Sequence, residues 1–130
     1  MPLSKSEANP CIGILASTAA KHGKLAGQDP FRPGSLLSLG GAGRLEEMFR
    51  QAGFGATTST TVSAPFMLPS ARHYIDFVRE SGAPVVQMLA HLDPAAQEAA
   101  WNEMEQRLAG FDTASGWAGP NELLLVTGRR

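Results

Sequence analysis

Between Arg44 and Ala52 the apolar residues Leu45, Met48, Phe49 and Ala52 recur at i, i+3, i+4 and i+7, the spacing of one helical face. This predicts a helix. Gly53 supplies a left-handed residue after its last turn, and Phe54 is placed to fold back on Phe49 in the apolar contact that accompanies such a cap. Upstream, Asn9-Pro10 reads as a helix start, because Asn caps free amides and proline at the first helical position gives up an N–H that would be unpaired anyway. Ile12, Leu15 and Ala19 then share a face, and Gly23 ends the helix. Residues 24–34, with Gly27, Asp29-Pro30 and Pro33-Gly34, read as a loop that positions Phe31.

Downstream the pattern changes. Residues 54–66 are rich in Thr and Ser around Val62, a composition suited to a pleated surface, and predict a strand. After Ser70 as cap, Ala71, Tyr74, Ile75, Phe77 and Val78 mark a helix that Gly82 and Pro84 break. Val85, Met88, Leu89 and Leu92 mark a second, and Asp93-Pro94 starts a third through Ala96, Ala100, Met104, Leu108 and Phe111. Residues 112–120 read as a turn region around Trp117, and the apolar run 121–127 as a buried strand. The expectation is a single α+β domain over 1–130, in which three helices (70–111) are inserted between two strands.

The chain has 130 residues, a length at which roughly two-thirds of the unfolded surface is buried on folding. Eleven basic residues nearly balance twelve acidic ones without a basic block beyond Arg129-Arg130, so no nucleic-acid partner is expected. The single cysteine, Cys11, cannot form an internal disulfide and reads as a buried apolar residue; no Cys/His cluster has metal-ligand spacing. The stretch 11–20 is far short of the ~20 apolar residues of a membrane span, and the N-terminus lacks a signal-peptide layout; the lone cysteine without a Cys/His cluster points to a reducing cytoplasm.

Candidate chemistry is sparse. Gly40, Gly41 and Gly43 form G-G-x-G where a dinucleotide loop needs G-x-G-x-x-G, and no acidic residue follows about 20 positions on, so the glycines are assigned to a helix start. His22, His73 and His91 are scattered; His73 with Asp76 is the one His–carboxylate spacing on a helix face, and it reads as a surface pair rather than a general base. There is no G-x-S-x-G, and Glu46-Glu47 and Glu103/Glu105 read as solvated helix faces. No catalytic residue is assigned. Tyr74, Trp101 and Trp117 are the candidate substrate-binding residues, as rings that could line an apolar pocket, although rings at helical spacing most often belong to a core.

Three segments in order, "NPCIGIL" (9–15), "DPFRPGSLLSLGGAGRLEEMFRQAGF" (29–54) and "NELLLVTGRR" (121–130), together resemble the C-terminal half of class I S-adenosylmethionine-dependent methyltransferases, in particular the small-molecule, quinone-biosynthesis-like branch. The Ala52-Gly53-Phe54 ending before a Thr-rich strand is the most distinctive part. The resemblance implies an antiparallel strand pair at the edge of an incomplete methyltransferase-type sheet, 55–63 with 122–127, and a helical cap between them. It also implies that the cofactor loop and the ribose-binding acid belong to a portion preceding Asn9, so that no residue here is assigned to S-adenosylmethionine. Two partners follow as expectations: a separate N-terminal methyltransferase half, or a second copy paired through the Leu123–Val126 strand edge. The implied function is a methyltransferase-like C-terminal fragment, inactive alone, serving methyl transfer to a small molecule. The alternative is a small-molecule binding module that uses Tyr74, Trp101 and Trp117 without catalysis.

Overall fold

The computed structural model describes residues 2–25 and 32–130; the predicted placement of Phe31 lies outside them. The helices are α1 (Pro10–His22), α2 (Arg44–Gln51), α3 (Ala71–Ser81), α4 (Ala83–Leu89) and α5 (Pro94–Leu108), and the strands are β1 (Gly55–Ser63), β2 (Phe66–Leu68), β3 (Asp112–Thr113), β4 (Gly116–Gly119) and β5 (Glu122–Arg129). The class is α+β, with one antiparallel sheet of two strands and another of three. These elements form two compact units, one from residues 2–10, 32–65 and 120–130 and the other from 11–25 and 66–119.

In the first unit β1 and β5 run antiparallel with Thr60 opposite Leu125 and Val62 opposite Leu123. The pairing is interrupted between Gly55 and Thr58 by a bulge, where Ala56 takes a left-handed conformation at φ 48°. On the side of β5 away from β1, Leu3 bridges Leu123 in antiparallel sense; Leu124 N–H donates to Pro2 at 2.8 Å, and Ser4 N–H donates to Glu122 at 3.0 Å. The edge expected to be open along Leu123–Val126 is therefore occupied at its first half. No third strand covers it beyond Leu124 among the described residues.

Helix α2 ends as its sequence predicts. Gly53 has φ 90°, its N–H donates to Arg50, and Phe54 N–H donates to Phe49, which satisfies two carbonyls that the helix leaves free. The rings of Phe49 and Phe54 meet at 5.2 Å. They pack on β5 at Gly128, where a Cβ would stand 2.9 Å from Cβ of Phe54. Asn9, predicted as a cap for α1, has its side chain engaged elsewhere: Oδ1 accepts from Glu122 N–H at 2.8 Å and Nδ2 donates to the Lys5 carbonyl at 3.0 Å.

The second unit buries Cys11, Leu15 and Ala19 of α1 with Tyr74, Ile75 and Val78 of α3, Leu89 of α4, and Trp101, Met104 and Leu108 of α5. Ser70 caps α3 by accepting from His73 N–H, and Asp93 caps α5 by accepting from Ala96 N–H at 2.7 Å, each satisfying an amide of a first helical turn. Two sequence expectations need correction here. The strand expected over 54–66 stops at Ser63, and after Ala64-Pro65 the chain starts a second strand, β2, in the other sheet. Proline has no N–H for a ladder, which accounts for the break. Likewise 112–120 is not only a turn: β3 and β4 pair with each other, and β4 pairs with β2.

Candidate functional site

The three candidate aromatics are all buried in the second unit. Tyr74 on α3 and Trp117 on β4 stack with ring centroids 4.9 Å apart, and Phe111 meets the indole edge-on at 6.4 Å, geometries that aromatic quadrupoles favour. The Trp117 indole N–H donates to the Leu108 carbonyl at 2.7 Å, using one of the acceptors that α5 leaves free at its end. Gly119, two residues along β4, leaves room for that indole: a Cβ there would lie 2.2 Å from the ring. Trp101 has a different neighbour, the Arg79 guanidinium 5.5 Å above its ring, which itself forks onto the two carboxylate oxygens of Glu98 at 3.3 and 3.2 Å. The structure thus brings Tyr74 and Trp117 together and gives Trp101 a separate partner.

Burial also shapes the ionisable groups of this core. Desolvation raises the Tyr74 phenol above its ordinary range, with the nearby Cys11 adding to the shift. The Cys11 thiol is pushed up to about 11 by the same loss of water. Both groups are held neutral, the opposite of what a nucleophile requires.

Each histidine has a structural partner. His73 Nδ1 lies 2.8 Å from the Ser70 hydroxyl at the start of α3, while Asp76 accepts from Arg72 at 3.2 Å. His91 Nε2 lies 3.0 Å from the Gly23 carbonyl. His22 Nε2 lies 2.5 Å from Glu103, whose other oxygen accepts from Lys21, so α1 and α5 are joined through one carboxylate. Hydrogen bonds from Lys21 and then His22 hold that carboxyl below its ordinary range. Glu103, read from sequence as part of a solvated face, is a junction between helices. Among the described residues, no group of three or more His, Cys, Asp or Glu side chains could hold a metal ion.

The glycines lie in the first unit. Gly43, at φ 71°, immediately precedes α2, and a Cβ on Gly40 would lie 2.2 Å from the Ser4 carbonyl oxygen. One glycine therefore turns the chain into the helix, and the other admits the N-terminal segment. They border a concavity of about 350 Å³ whose polar lining includes Ser4, Lys5, Glu46, Ser59, Thr61 and Glu122. Ser4 Oγ donates to Glu122 Oε1 at 2.6 Å, and Glu46 Oε2 is buried without a hydrogen-bond partner. Two carboxylates against one lysine make this lining repel a phosphate despite the helix N-terminus beside it. The polar set escaped sequence reasoning because its members lie far apart along the chain, as Ser4 and Glu122 do at a separation of 118 residues.

A second concavity, about 480 Å³, lies at the bulge and is lined by Ala56, Thr58, Thr127, Gly128 and Arg129. The Thr58 and Thr127 hydroxyls are 2.6 Å apart across the strands. Neither concavity is lined by Tyr74, Trp101 or Trp117.

No family model, no curated protein and no solved structure matches the chain. None of the described helices is long and apolar enough to cross a membrane.

Proposed function

We propose that this chain is the closing segment of a class I S-adenosylmethionine-dependent methyltransferase that acts on a small molecule, and that it is inactive without a cofactor-binding portion. One observation carries the reading: β5 lies antiparallel between β1 and the segment Pro2–Ser4. In the family that the sequence resembles, the last strand lies between the fifth and sixth. Here β1 takes the place of the sixth, and Pro2–Ser4, ahead of the "NPCIGIL" helix, takes that of the end of the fifth. The capped α2 leading into β1, and the three helices between β1 and β5, follow the same order. The buried Tyr74 and Cys11 are held neutral, so neither is an activated nucleophile, and the lining beside Gly40 and Gly43 is acidic. On this reading the donor is held by the portion that supplies the remaining strands.

Calorimetry tests this directly. S-adenosylmethionine titrated into the chain alone is expected to give no heat of binding, whereas the chain joined to the strand-one-to-five half of a small-molecule methyltransferase is expected to bind it saturably. Binding by the chain alone would overturn the proposal, as would failure of every folded fusion to bind.

A further inference from the structure

We draw no further inference here: the strongest candidate, the concavity of the first unit where Glu46 and Glu122 meet the hydroxyls of Ser4, Ser59 and Thr61, rests on two carboxylates beside the N-terminus of α2, with Glu46 only partly buried, and nothing among the described residues shows what would occupy it.

Discussion

The indole N–H of Trp117 donates to the carbonyl of Leu108 at 2.7 Å, and both side chains are withdrawn from water. The bond ties the end of α5 to β4 and orients the ring that stacks on Tyr74. Replacing the indole by a phenyl ring keeps an aromatic group but leaves a buried carbonyl unpaired, a loss of about 1–3 kcal/mol. Trp117→Phe is therefore expected to lower the urea midpoint with an unchanged denaturant slope. An unaltered midpoint would show that water replaces the bond at little cost.

Two glycines should respond with opposite sign. Gly53 holds φ 90° after α2, where an L side chain is strained, and Gly53→Ala is expected to destabilise by about 1–2 kcal/mol. Gly13, inside α1, has open space around the position of a Cβ, and Gly13→Ala is expected to stabilise by about 0.5–1 kcal/mol. Thermal unfolding of the pair against the parent chain checks both signs.

Glu103 links stability to acid pH. Its carboxyl is held below its ordinary range by Lys21 and His22, so the folded state binds this proton less readily than the unfolded state does. The contribution is present above the ordinary carboxylate range and is lost as pH falls through the lowered folded value. Glu103→Gln should thus be less stable than the parent at neutral pH, and the gap should narrow as the solution is acidified. A gap independent of pH would assign the effect to packing.

At alkaline pH the sign reverses. Tyr74 and Cys11 are both raised by burial, Cys11 to about 11, so their contribution is complete below the unfolded values, roughly 8.5 for a thiol and 10 for a phenol, and fades as pH rises through the folded ones. Tyr74→Phe is expected to lose less stability than the parent above pH ~10. Cys11, 2% exposed, should react with a thiol reagent only as fast as the unit opens. Immediate stoichiometric labelling of the native protein would contradict this packing.

The sequence made α2 and its cap legible because the helical stripe, Gly53 and the Phe49–Phe54 contact all lie within a few residues of one another. The Ser70 and Asp93 caps were readable for the same reason. Less was visible where partners are remote. Asn9 looked like a local cap until the Glu122 amide, 113 residues away, proved to use its side-chain oxygen. Strand β4, Gly-Trp-Ala-Gly, carries turn-like composition, and its strand geometry comes from pairing with β2 and β3. By sequence Gly40 belongs to a helix start and Gly119 to a turn region, yet one accommodates the Ser4 backbone and the other the Trp117 ring. Of the candidate site residues, Tyr74 and Trp117 emerged as neighbours, whereas the separate pairing of Trp101 with Arg79 had no sequence signal.

The pairing of Pro2–Ser4 with β5 has a consequence for how the molecule forms. Ser4 and Glu122 meet across 118 residues, so this sheet cannot close until the chain has been made as far as Glu122, whereas the helices between its strands have partners close at hand. Closure over such a separation is slow, and until then β1 is exposed on both sides. The interval before β5 arrives is when strand-to-strand aggregation competes with folding, and slower translation of the 66–119 region would lengthen it.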